Sequence, residues 1–167
     1  GDKALVINGG KFGERWTKIC QAYGLNVKEL MVEWGYAVKP SDVEAELKKD
    51  QDIKGVFVQA CETSTGVYHD IESLGRAVKN TDALLVVDAI SALVAHDLRT
   101  DEWDVDIMVA GSQKGLMLPP GLAFVGISEK AWKKNEKSIA PRFYFNFKKE
   151  RDALAKNQTK FTSSVTL

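Results

Sequence analysis

The chain has 167 residues, 44% of them hydrophobic and 28% charged, the balance of a globular domain with one sizeable core. Its 23 basic and 23 acidic side chains cancel, which argues against a nucleic-acid partner, because such partners favour a basic face. Two cysteines and two histidines supply neither a disulfide framework nor a metal-ligand spacing, and no run is long and apolar enough to cross a membrane.

In chain order, Ala4–Ile7 reads as a strand, and Phe12–Tyr23 follows with a helical period that Gly24 stops. Cys20 falls on the apolar face of that helix and is expected in the core. Asn26–Met31 is a second strand. Ser41 with Glu44 three residues on spells a capping box for a helix running to about Lys49. Val56–Gln59 is a strand that leads into Cys61-Glu62-Thr63-Ser64-Thr65-Gly66, a loop of hydroxyls and backbone donors suited to a phosphate or the polar edge of a cofactor. His69, near the next helix (Ile71–Asn80), reads as a surface or capping position.

Ala83–Asp88 is a continuous apolar run ending in a carboxylate, the signature of a strand buried on both faces of a parallel sheet. Ligands of open α/β sheets bind outside the carboxyl ends of the strands, where Asp88 falls. Ile107–Ala110 is the next strand. It delivers Lys114 into the loop Gly111-Ser112-Gln113-Lys114-Gly115-Leu116-Met117-Leu118-Pro119-Pro120-Gly121, which is too apolar and too rich in Gly and Pro for an ordinary solvated turn. The chemistry that uses a partly desolvated lysine is imine formation with an aldehyde, above all pyridoxal phosphate (PLP), whose ring nitrogen also needs an acid partner. The strand Ala123–Ser128, a short helix Glu129–Lys137 and a longer one Phe147–Asn157 complete the pattern. Lys130, Lys133, Lys134 and Lys137 form a solvated helix face, and the stretch Ile139–Asn146 is irregular, a loop near an entrance or a subunit interface. Strands alternating with helices predict an α/β fold with a mainly parallel sheet and helices on both faces.

Each feature alone has an ordinary reading. Lys114 can snorkel, Asp88 can cap a turn, and the Thr-Ser-Thr run can cap the following helix. Gly111–Gly115 is not a Walker phosphate loop, since the glycine spacing is wrong and no Ser or Thr follows the lysine.

Together, Glu62-Thr63-Ser64-Thr65-Gly66, Val86-Val87-Asp88-Ala89-Ile90-Ser91 and Gly111-Ser112-Gln113-Lys114-Gly115 with Pro119-Pro120-Gly121 closely resemble the class V aminotransferases. Within that family they look like the serine–glyoxylate and alanine–glyoxylate group. Asn8-Gly9-Gly10-Lys11-Phe12-Gly13-Glu14-Arg15-Trp16 is similar to that group's pattern of Asn-Gly, then Phe-Gly, then Arg. The resemblance implies pyridoxal 5′-phosphate as cofactor, Lys114 as the Schiff-base lysine and proton shuttle, and Asp88 as partner of the pyridinium nitrogen. It further implies Ile90 against one ring face, Thr63 near the phenolic oxygen or substrate, and Gln113 at the phosphate, with Thr162 reaching the phosphate of a neighbouring subunit in a homodimer. Residues 1–160 would form the central part of a PLP-binding large domain, with 161–167 opening the connection to a small domain. The expected reaction is transfer of the amino group of a small amino acid, serine or alanine, to a 2-oxo acid such as glyoxylate or pyruvate, in the cytoplasm. The alternatives are a PLP lyase of the cysteine desulfurase kind and a non-catalytic interaction subunit. Gln113 before the lysine, and no cysteine after it, favour transamination over the lyase. Relatives are about twice as long, so a Gly-rich phosphate turn, the aromatic on the other ring face and the substrate-carboxylate arginine are expected outside this chain, and the 167 residues alone are not expected to transaminate.

Overall fold

The computed structural model describes residues 1–163. Strand β1 (Lys3–Asn8) is followed by α1 (Lys11–Ala22), β2 (Asn26–Met31), α2 (Pro40–Lys49) and β3 (Ile53–Gln59). A small hairpin, β4 (Cys61–Glu62) with β5 (Val67–Tyr68), precedes α3 (Ile71–Lys79) and β6 (Leu84–Asp88). The hairpin strands β7 (Ile107–Gly111) and β8 (Ala123–Ile127), then α4 (Glu129–Lys137) and α5 (Phe147–Leu154), complete the order. The main sheet runs β2-β1-β3-β6-β7-β8, parallel throughout except for the antiparallel β7–β8 pair. The chain moves outward from β1 to β2 and then crosses to β3 on the other side of β1. The carboxyl ends of β1 and β3 therefore flank a topological switch point.

The strands have two different faces. Leu5, Ile7, Val56, Val58, Leu85 and Val87 alternate onto one face and form a core with Val43 and Leu47 of α2 and Ile71, Leu74 and Val78 of α3. Helix α1 covers the other face. It lies so close to β1 that a Cβ at Gly13 would stand 2.8 Å from the Asn8 Cα and 2.9 Å from the Ile7 carbonyl oxygen, so only glycine permits the approach. Cys20 is buried on this helix, as its place in the pattern predicts.

Three local expectations are corrected. Helix α2 begins at Pro40, whose ring pre-sets the helical φ at the first position. Ser41 is thereby inside the first turn, and the N-cap, Lys39, makes no side-chain cap hydrogen bond, so the Ser41–Glu44 capping box does not form. His69 is not at the surface: it is 1% exposed, because Asp70 takes the N-cap of α3 by accepting from the Ser73 N–H at 2.9 Å. The His69 ring turns inward, where Nδ1 accepts the Val38 N–H at 3.0 Å. Helix α5 stops at Leu154 rather than Asn157, because Asn157 takes a left-handed φ of 54° and the Gln158 N–H folds back to the Ala153 carbonyl.

The lysine face of α4 is more engaged than a solvated stripe. Lys130 donates to the Ala83 carbonyl, and Lys134 pairs with Asp82 at 2.9 Å. Hydrogen bonds from Lys134 and Lys54 hold the Asp82 carboxyl down at about 2. The stretch Ile139–Asn146 is irregular, with Phe143, Tyr144 and Phe145 exposed. Of the segment 161–167, residues 164–167 lie outside the described part.

Candidate active site

Strand order and register bring three loops to one edge. Gln59 pairs with Asp88, and Asp88 with Val109, so β3, β6 and β7 end side by side. The Asp88 carboxylate is held from two directions. Oδ1 accepts the Ile90 N–H at 3.0 Å, and Oδ2 accepts the Trp16 indole N–H at 2.9 Å. Ile90 is 39% exposed beside it, leaving an apolar surface toward the open edge. Thr63 Oγ1 and Ser91 Oγ are 2.7 Å apart, which ties the loop after β3 to the loop after Asp88.

Lys114 lies in the β7–β8 connection. Ser112, fully buried, closes the base of that loop: its hydroxyl donates to the Pro119 carbonyl at 2.6 Å, and its backbone N–H donates to the Leu122 carbonyl at 3.0 Å. The Met117 N–H donates to the Lys114 carbonyl at 2.9 Å, which turns the chain back immediately after the lysine. Gly115 then presses against the segment that follows Asp88. A Cβ there would come within 2.3 Å of the Leu93 carbonyl oxygen. The two loops that meet at this contact each hold a non-glycine residue with left-handed backbone, Val94 at φ 72° and Met117 at φ 55°. For a β-branched residue such as Val94 that conformation is strained, the kind of strain that collects at functional sites. Lys114 itself is exposed rather than partly desolvated within this chain, because its loop is covered only at the Ser112 base and at Gly115. Among the described residues its amine makes no hydrogen bond or ion pair. Gln113 is also exposed, with its amide folded back over Gly111.

Thr162 stands apart from this cluster. It is exposed beyond α5, next to Phe161, whose ring stacks on Tyr144 with centroids 4.6 Å apart. The structure thus brings Thr63, Asp88, Ile90, Gln113 and Lys114 to one edge and leaves Thr162 outside it. A cavity of about 820 Å³, lined by Gly24, Asp82, Ile107, Ile127 and Ile139 among others, lies at the opposite, amino-terminal edge and holds none of these residues.

Glu62 has a role that its place in the motif does not reveal. It is fully buried, and its carboxylate accepts the N–H groups of Phe12 at 3.1 Å, Gly13 at 3.0 Å and Ser64 at 3.2 Å, and the Ser64 hydroxyl at 2.6 Å. The Ser64 oxygen in turn accepts the Lys11 N–H at 2.9 Å. A carboxylate from another strand thus caps α1, whose own N-cap is Gly10. Of the hydroxyls of this loop, Ser64 serves α1, Thr63 meets Ser91 and Thr65 donates to the Glu62 carbonyl, while Asp70 caps the helix that follows. Trp16 is the other residue that sequence reasoning missed. The signal was its place next to Arg15 in the Asn-Gly/Phe-Gly motif, but only the packing of α1 on β1 and β3 brings it to Asp88.

Residues 1–162 match the family described as aminotransferase class-V. The chain belongs to the class V aminotransferases. That family is PLP-dependent, and the residue set at the carboxyl edge fits the cofactor: an immobilised carboxylate for the ring nitrogen, an apolar shelf at Ile90, and an uncommitted amine on an adjoining loop. The chain is 44% identical to the small subunit of a soluble hydrogenase from a Synechococcus species, over all of this chain and 44% of that protein. It is 42% identical to the L-aspartate–glyoxylate aminotransferase of Paracoccus denitrificans, over all of this chain and 43% of that one. The crystal structure of an alanine–glyoxylate aminotransferase from Nostoc superposes on the whole chain with a TM-score of 0.94 at 25% identity, using 45% of its own length. This class V chain therefore spans less than half the length of the curated relatives it matches.

Proposed function

We propose that the protein carrying this chain is a PLP-dependent transaminase that moves the amino group of a small amino acid to a 2-oxo acid such as glyoxylate or pyruvate. The observation that carries the reading is the convergence of Asp88, its two hydrogen-bond donors and the Lys114 loop at one sheet edge. The names of the Paracoccus and Nostoc relatives support glyoxylate as the acceptor. Serine and alanine are the donors proposed here, and the Paracoccus name adds aspartate to the set to be tested.

The bound cofactor supplies the electron sink for amino-group transfer. Lys114 Nζ anchors it and moves the proton to and from the substrate Cα. Asp88 would hold the ring nitrogen, and Ile90 would offer its apolar surface to one face of the ring. Thr63, already paired with Ser91, presents a hydroxyl to the ring edge or substrate, and Gln113 offers its amide to the phosphate. Thr162 is assigned to the phosphate of a second subunit in a homodimer. The exposure of Lys114 and Thr162 in this chain supports a site completed by protein outside it. Cytoplasmic location is part of the same reading, and no helix among the described residues is long and apolar enough to cross a membrane. The Synechococcus relative is named as the small subunit of a soluble hydrogenase.

The test is an absorbance spectrum of the intact protein with PLP, followed by borohydride reduction and peptide mapping. A near-visible band and a reduced adduct on Lys114 are expected, and titration with serine, alanine or aspartate bleaches the band when the donor is correct. Lys114→Ala should lose the adduct and about a thousandfold in kcat. An absent band and an unmodified Lys114 would sink the transaminase reading.

A further inference from the structure

We infer that Trp16 is a positioning residue for the Asp88 carboxylate, fixing the plane in which that carboxylate meets the cofactor's ring nitrogen. This rests on the PLP reading above.

An aspartate carboxyl turns about a broad, roughly two-fold torsion, so its orientation must be set from outside. Ile90 N–H, two residues along the same chain, fixes Oδ1 alone. The second anchor comes from α1, 72 residues away in sequence: the Trp16 indole N–H reaches Oδ2 at 2.9 Å. Two donors from independent elements leave the carboxylate little rotational freedom. Each oxygen keeps a lone pair for a further partner, because an ionised carboxylate accepts about four hydrogen bonds. The indole N–H only donates, so the oxygen it touches is held as an acceptor, as a protonated ring nitrogen requires.

Trp16 is itself held in place. Its ring meets Phe57 of β3 with centroids 5.5 Å apart and planes inclined by 40°. Helix α1 is pinned at its N-terminus by the buried Glu62 carboxylate. The cap, the helix and the indole form one rigid path from the switch point to Asp88.

The alternative is that Trp16 only packs on Phe57. Trp16→Phe separates the two roles, since it keeps an aromatic ring and removes the N–H. In the intact protein we expect PLP to bind about tenfold more weakly in Trp16→Phe, the effect of losing one hydrogen bond to a charged group. In an Asp88→Asn background the same substitution should change PLP affinity less than about twofold. An unchanged affinity in Trp16→Phe, or an equal loss with and without Asp88, would overturn the inference. If the wild type binds no PLP on Lys114, the transaminase reading fails instead. Should Trp16→Phe not fold, the indole N–H resonances of the wild type decide. Among the four tryptophans, the resonance displaced by Asp88→Asn should also shift when PLP is added, and not when inorganic phosphate is added. A resonance that ignores PLP would equally overturn the inference.

Discussion

On the α2–α3 side of the sheet, β1, β3 and β6 present Leu5, Ile7, Val56, Val58, Leu85 and Val87, all buried in one apolar cluster. On the α1 side the same three strands end in Asn8, Gln59 and Asp88. The Gln59↔Asp88 pairing is direct, and the Val6↔Phe57 register places Asn8 beside Gln59. Both amide atoms of Gln59 and the Oδ1 of Asn8 are buried without a hydrogen-bond partner among the described residues. Each such group costs about 1–3 kcal/mol. One face is thus built for stability, while the other tolerates a polar row at the edge that carries Asp88. Proteins relax the rules of packing most readily at functional sites.

Substitutions on the two faces should therefore fail differently. The largest loss of stability is expected on the apolar face. Leu85 is fully buried at the centre of the cluster. Leu85→Ala should cost about 2–5 kcal/mol through lost burial and the cavity left behind. Denaturant unfolding of the intact protein measures it, and PLP affinity of the fraction that stays folded should be unchanged. A loss below about 1 kcal/mol would mean that the face is less tightly packed than its burial indicates.

Next in size is the Glu62 cap of α1. Glu62→Ala removes the acceptor for three backbone N–H groups at buried or half-buried positions. Leaving these donors without a partner should cost about 3 kcal/mol. Because α1 carries Trp16, this substitution should weaken PLP binding together with stability, whereas Leu85→Ala should separate the two. If Glu62→Ala left PLP binding intact, the helix would not be the path by which the switch point supports Asp88.

The strands were legible because apolar runs end where the sheet ends. Leu84–Asp88 and Ile107–Gly111 are each apolar stretches that end in a carboxylate or a glycine, so Asp88 and the Lys114 loop stand out in the sequence. Their sharing of one edge followed from parallel pairing. What escaped were interactions across long sequence separations. Glu62 looked like one letter of a loop motif, yet its carboxylate serves a helix about 50 residues upstream. Trp16 closes the Asn-Gly/Phe-Gly motif, and nothing local ties it to Asp88. Local patterns also misled where a stronger local rule competed: Pro40 displaced the Ser41 capping box, and Asp70 took the cap that freed His69 to turn inward.

His69 offers the smallest and most selective probe of the apolar side. It is buried immediately after β5, and burial pushes its imidazole below the ordinary value of 6.5, partly offset by the Glu62 carboxylate. A neutral ring suits the geometry, because Nδ1 accepts the Val38 N–H and cannot do so once protonated. In the unfolded chain the ring takes up its proton near the ordinary value, whereas in the folded protein it does so only at lower pH. Between those two points the unfolded state binds more protons, so stability rises with pH across that window. The contribution is complete above about pH 6.5 and is lost as pH falls toward the folded-state value, at no more than about 1.4 kcal/mol per pH unit. Urea midpoints at about pH 7.5 and about pH 5.5 should therefore differ by less in His69→Gln, which keeps an acceptor for Val38, than in the wild type. An identical pH dependence in the two proteins would place the acid sensitivity of the fold elsewhere, in carboxylates such as Asp70 and Asp82 that their hydrogen-bond donors hold low.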